Sequence, residues 1–150
     1  MKDDHNEKEA PVKRPAAIQE EIEKLIGTYA REILLGPTRL VPLLGRKCEP
    51  RILHTFLGFE LKVAQKRITC PDMSTALYLH IFAELGMPSV RTPYDPSVIT
   101  RVLPALEKAL KRIKNLLLEE NLPERRHQSK LRDIYKRIRD KLKLAEEGVL

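Results

Sequence analysis

Tryptophan is absent from this chain, and aromatic residues fill only 5% of its 150 positions. A surface that stacks many bases uses exposed aromatic rings, so an extensive platform of that kind is not expected. No apolar run approaches the roughly 18 residues that suggest a membrane span. The opening segment, MKDDHNEKEAPVKRP, is polar and charged with both signs and lacks the apolar centre of a secretory signal. A cytoplasmic protein without a membrane partner is the expectation. Cysteine is scarce too. Cys48 and Cys70 stand alone; they are expected as reduced thiols, since a core of this size needs no disulfide. With His54 and His80 they form C-x5-H and C-x9-H spacings, which lack the close knuckle of structural zinc sites. Neither metal nor cofactor is expected. A Gly-rich phosphate loop, a GxSxG elbow and an HExxH pair are missing as well.

What is present is charge and helix periodicity. Hydrophobic residues at 42% and charged residues at 33% fit a compact domain with a highly charged surface. Residues 1–15 read as a flexible tail, and residues 16–150 as one helix-rich α/β (or α+β) domain. Ile18, Ile22, Leu25, Ile26, Tyr29 and Ile33 recur at helical spacing, predicting a helix over 16–34 that stops at Gly36-Pro37. The segment 37–50 reads as a helical turn or packed loop, interrupted by Pro42 and Gly45. Phe59, Leu61 and Val63 alternate with Glu60 and Lys62, predicting a strand; residues 67–70 return beside it after a turn at 64–66.

Asp72 and Gly86 bracket a predicted helix over 73–85 that has few polar positions and so should be buried. A short strand is expected over 88–92. The strand, helix and strand together suggest a right-handed crossover whose outer strands pair in parallel. Asp95-Pro96 opens a further helix over 96–120, in which Pro104 should produce a kink or a restart. Leu131, Ile134, Ile138 and Leu142 mark a last helix. The two should form a basic C-terminal helical hairpin over about 96–146.

The uneven distribution of charge is the most informative feature. Lysine and arginine exceed aspartate and glutamate by seven in the chain, 28 against 21. Between Glu124 and Lys143 alone the counts are nine against three, a surplus of six. Arg125, Arg126, Lys130, Arg132, Lys136, Arg137, Arg139, Lys141 and Lys143 cover nearly all of that helix except its apolar seam. A surface of this type suits the phosphates of DNA or RNA, because neutralising them releases condensed counterions. An acidic protein partner, or a plainly solvated helix, would account for the same composition.

Glu60-Leu61-Lys62 is the one catalytic-looking pattern. An acid-x-Lys pair on a strand resembles the centre of PD-(D/E)xK nucleases, which implies a magnesium ion at Glu60 and a water positioned by Lys62. The first-strand aspartate of that pattern is missing here. Arg91, Tyr94 and Asp95 occupy a strand-to-helix turn of the kind that often borders ligands, although Asp95 equally suits a helix cap. The chain as a whole reads as a non-catalytic binding protein that contacts nucleic acid through its last helix. An adaptor or assembly subunit is the alternative, and a nuclease the third reading.

Overall fold

The computed structural model describes residues 15–46 and 48–148 in full, and the backbone alone of 2–14. Residues 1–14 of the tail expected over 1–15 therefore lie outside the fully described residues. Helix α1, Lys2–Thr28, continues into one π-helical turn, Tyr29–Ile33. Ile18, Ile22, Leu25, Tyr29 and Ile33 are buried along it. They form the apolar stripe that its periodicity implies, and α1 packs on α3, Pro96–Leu118, over most of that stripe.

Strand β1, Thr38–Pro42, pairs antiparallel with β5, Ser89–Pro93, bringing Leu40 opposite Arg91. This corrects the reading of 37–50 as a helical turn. Pro42 is the last residue of β1, where its missing N–H removes nothing from the ladder interior. Beyond it, the Leu43 and Gly45 amides donate to the Pro88 and Met87 carbonyls at 2.8 and 3.1 Å. Gly45 adopts φ +80°, and a Cβ there would lie 3.3 Å from Pro88, so the turn requires glycine for both reasons.

A separate antiparallel meander comprises β2, Arg51–Thr55, β3, Gly58–Val63, and β4, Lys66–Cys70. The turn between β3 and β4 is Ala64-Gln65, with Ala64 at φ 55°. Leu61, Val63 and Cys70 are buried on one face, against helix α2, Met73–Glu84. Helix α2 is itself buried at Ala76, Tyr78, Leu79, Ile81, Phe82 and Ala83, as its composition foretells. Asp72 caps it by accepting the Thr75 amide at 2.7 Å.

The expected parallel crossover does not form: β4 and β5 belong to different sheets. Backbone groups at the edge of a strand must find partners, and at β5 tyrosines supply them. The Arg91 amide donates to the Tyr29 hydroxyl at 2.9 Å, and the Arg91 carbonyl accepts from the Tyr78 hydroxyl at 2.6 Å. With those groups satisfied by side chains, Arg91 has nothing to offer a further strand on that side.

Helix α3 runs unbroken through Pro104, which is exposed, so the proline causes no restart. Helix α4, Glu124–Glu146, turns back after Pro123. Near its start Lys130 pairs with Glu120 just beyond α3 at 2.8 Å, and at its end Glu146 accepts from the Tyr29 hydroxyl at 2.7 Å. Ile134, Tyr135, Ile138 and Leu142 are buried under it. The protein is thus a helix-rich α+β fold with two small antiparallel sheets and two C-terminal helices.

Glu84 joins three helices: its carboxylate accepts from Tyr135 of α4 at 2.6 Å and is ion-paired with Lys114 of α3. A partly buried hydrogen bond to a charged group contributes about 1.5–3 kcal/mol. Glu84→Ala should therefore destabilise the protein by about 2 kcal/mol, measured as the shift of the urea midpoint. An unchanged midpoint would show that solvent replaces both partners without cost.

Candidate nucleic-acid interface

With 3.6 residues per turn, the nine cations of α4 divide into two rows flanking its buried seam. Arg125, Arg132, Lys136, Arg139 and Lys143 form one row. Arg126, Lys130, Arg137 and Lys141 form the other. Asp133 and Asp140 lie on the outward ridge between them.

The second row is largely occupied by neighbours. Lys130 is paired with Glu120, Arg137 donates to Gln19 of α1 at 3.3 Å, and Lys141 borders a hollow that also contains Glu23. Arg126 of this row is exposed. A hollow of about 530 Å³ between α1 and α3 is lined by Glu20, Glu21, Glu23 and Glu32 with Lys24, Arg31 and Lys108. Its acidic groups make that side of the molecule a poor neighbour for phosphate.

The first row has a different environment. Arg132, Lys136 and Arg139 border a hollow of about 300 Å³ whose other walls are Gly45, Arg46, Asp133 and Tyr135. Lys136 lies 4.0 Å from Asp140, with both side chains about 70% exposed, a geometry that contributes little. Arg125, Arg132 and Lys143 are exposed. Arg139 is committed elsewhere: its guanidinium donates to the Leu85 carbonyl at 2.8 Å. It thereby satisfies an orphan carbonyl and places a cation at the C-terminal end of α2. Arg46 joins the row from the loop after β1, which sequence alone does not bring near residues 132–139. Its only signal there was the dipeptide Arg46-Lys47.

The other candidates take structural positions. Asp95 accepts from the Ser97 amide and hydroxyl at 2.9 and 2.8 Å, and these bonds hold its carboxyl below the usual carboxylate range. It caps α3. Tyr94 is exposed, and Arg91 lies opposite Leu40 in the strand ladder. Glu60 and Lys62 share the solvent-facing side of β3, as alternation requires. Glu60 accepts from Arg67 at 3.3 Å, and its cross-strand neighbours are Leu53 and Thr69 rather than a second acid. His54 stacks on Phe59 with ring centroids 4.7 Å apart, and His80 Nε2 lies 3.0 Å from the Pro50 carbonyl. Among the described residues no three His, Cys, Asp or Glu side chains converge as a metal site. No described helix is long and apolar enough to cross a membrane.

Cys48 and Cys70 are free thiols. Burial pushes both above the ordinary thiol range, and Cys70 is the more enclosed. The thiolate is the reactive form, so alkylation of the native protein at pH 7 should be slow and should accelerate with pH. Cys48 should react before Cys70, as resolved by mass spectrometry of iodoacetamide adducts. Faster labelling of Cys70 would contradict this burial. Comparison of the chain with protein-family models, curated protein sequences and solved structures finds no match.

Proposed function

We propose that this chain is a non-catalytic, cytoplasmic binding protein that contacts DNA or RNA through one flank of α4. The single observation supporting the reading is the row Arg125, Arg132, Lys136 and Lys143, extended by Arg46 across a hollow in which, among the described residues, Asp133 is the only acidic wall. Cations in such a row are matched by successive phosphates, and binding gains from the counterions released. Phosphate contacts alone fix position and not sequence, so recognition by this row is expected to be weakly sequence-dependent. The two free thiols suit a reducing compartment.

Deleting α4 would be a poor test, because Ile134, Ile138 and Leu142 fill the core. Charge must be removed and the seam kept. Glutamine at Arg125, Arg132, Lys136 and Lys143 does this, and glutamine at Arg126, Lys130, Arg137 and Lys141 is the control. Fluorescence anisotropy with labelled duplex DNA and with structured RNA gives the readout. Equal affinity for the wild-type and first-row proteins would end the proposal.

A second reading has its own observation. Leu35 and Tyr94 are 82% and 66% exposed, Leu40 is 51% exposed, and the Tyr94 amide reaches the Pro37 carbonyl at 3.4 Å. These apolar side chains around β1 and β5 suit an assembly subunit that meets another protein. Concentration-dependent mass in solution, without affinity for either nucleic acid at low salt, would favour it.

A further inference from the structure

The solvent-facing side of the β2–β3–β4 meander carries a feature that the fold itself does not require. Arg51 of β2 pairs in register with Lys62 of β3, and Lys62 pairs with Arg67 of β4. Three cations thus stand side by side across three strands, on the face opposite buried Leu61 and Val63. Strands are about 4.8 Å apart, so the row spans about 10 Å. Like charges directly opposite one another destabilise a sheet. One compensating contact is present, Arg67 to Glu60 at 3.3 Å, and it is more than half exposed on the arginine side.

The same hairpin ends in a second unexplained feature. Phe56 and Leu57 form a two-residue loop between paired Thr55 and Gly58, and they are 103% and 91% exposed. Loops of this length favour Asn-Gly or similar pairs, so neither side chain is there for the turn. Local bonds hold the tip: the Leu57 amide donates to the Thr55 hydroxyl, and that hydroxyl donates to the Gly58 carbonyl, both at 3.3 Å. Gly58 adopts φ +128°, which only glycine takes without strain. An aromatic ring and a leucine are therefore presented to solvent on a braced turn. Pro50, next to Arg51 in sequence, lines a hollow with Glu49, Glu84 and, from α4, Gln128 and Leu131, so α4 lies near the β2 end of the cation row, across two acidic groups.

We infer that the exposed face of this meander is a second nucleic-acid contact, in which Arg51, Lys62 and Arg67 bind phosphates and Phe56 stacks on an unpaired base. The inference rests on the nucleic-acid reading of α4 and narrows it to strands with accessible bases. Charge complementarity selects a polyanion, and an exposed ring at the hairpin tip, five residues or about 16 Å along the strand from the cation row, selects one long enough to reach both and with bases free to stack. A duplex offers the same phosphates but hides its base faces.

The test uses the full chain with a labelled oligothymidylate of about 20 nucleotides and a duplex of equal length, at about 50 and 200 mM salt. Three proteins accompany the wild type: Arg51→Gln/Lys62→Gln/Arg67→Gln, Phe56→Ala, and the α4 first-row variant. Each neutralised phosphate contributes about 0.7 to the salt slope on a single strand. The triple sheet variant should therefore lose about 2 units of slope on oligothymidylate. Phe56→Ala should weaken oligothymidylate binding about tenfold and leave the duplex almost unaffected. Wild-type affinity and slope in the triple sheet variant would overturn the inference. If the α4 variant alone lost affinity, the α4 proposal would stand without the sheet. Absence of wild-type binding to both probes would overturn both and direct attention to a protein partner for the hairpin tip. Lys62→Gln supplies a ligand-free check, because relieving the cross-strand repulsion should raise the melting temperature by about 1–3 °C at low salt. A fall would show that the row stabilises the fold by itself, and would overturn the ligand-binding account of it.

Discussion

Wild-type protein should lose at least about 100-fold in duplex affinity between about 50 and 200 mM salt, and the Arg125/Arg132/Lys136/Lys143 glutamine variant should show a slope shallower by about 3.6. The magnitude follows from counterion release. Four phosphates neutralised on duplex DNA give a slope near −3.6, and a fourfold change in salt raised to that power is about 150. The control variant in Arg126, Lys130, Arg137 and Lys141 should retain most of the slope. Lys130 is already paired with Glu120 and Arg137 is bonded to neutral Gln19, so the first has less charge and both have less freedom to offer a ligand. Arg139 is omitted from both variants because it caps α2 through the Leu85 carbonyl. Removing it would mix a stability loss into the binding result. Parallel salt slopes for wild type and first-row variant would mean that this row of α4 makes no phosphate contact.

The second large effect is alkaline instability. Burial raises the phenols of Tyr29, Tyr78 and Tyr135 well above the ordinary tyrosine value, helped at Tyr29 by Glu146 and at Tyr135 by Glu84, which accept their protons' hydrogen bonds. Their exposures are 0%, 0% and 3%, so screening by solvent is slight. Below the unfolded value of 10.0 all three are protonated in both states, and stability does not depend on them. Above it, the unfolded chain releases protons that the folded chain retains, and stability falls as pH rises. Each tyrosine contributes about 1.4 kcal/mol per pH unit, so three give about 4 kcal/mol per unit above pH 10. A protein of ordinary stability should unfold within about two to three units of that point.

Tyr29→Phe removes one titrating group and should lower the slope by about a third. It also strips the acceptor from the Arg91 amide, which makes the variant less stable at neutral pH by about 1–3 kcal/mol. Urea titrations at several pH values would separate the two effects. A flat profile between pH 10 and 11.5 would show that the phenols reach solvent before the protein unfolds.

Much of this architecture is legible without coordinates, because it depends on local signals. The stripes Ile18–Ile33 and Leu131–Leu142, the caps at Asp72 and Asp95, and the alternation of Phe59, Leu61 and Val63 each lie within one element. Side chains three, four or two positions apart report the helix or strand they belong to. The concentration of cations over 125–143 is likewise a property of composition. Pairing between distant segments is another matter. Strand β1 carries no clean alternation, with Leu40 half-exposed beside buried Val41, and it exists because β5 lies fifty residues away in sequence (Leu40 opposite Arg91). The parallel crossover failed for a similarly nonlocal reason, since Tyr29 and Tyr78 reach the open edge of β5 from two different helical segments.

The sequence by itself determined where the four main helices lie, the caps at Asp72 and Asp95 and how much positive charge the last helix carries, all set by near-neighbour chemistry. Only the tertiary structure decided which of those charges are available. Packing α4 on α1 and α3 brings Lys130 and Arg137 to Glu120 and Gln19, and turns Arg132 and Lys136 toward Arg46. Register alone placed Arg51, Lys62 and Arg67 in one row. A charge has a fixed sign in any sequence, but its partners depend on which surfaces the core brings together.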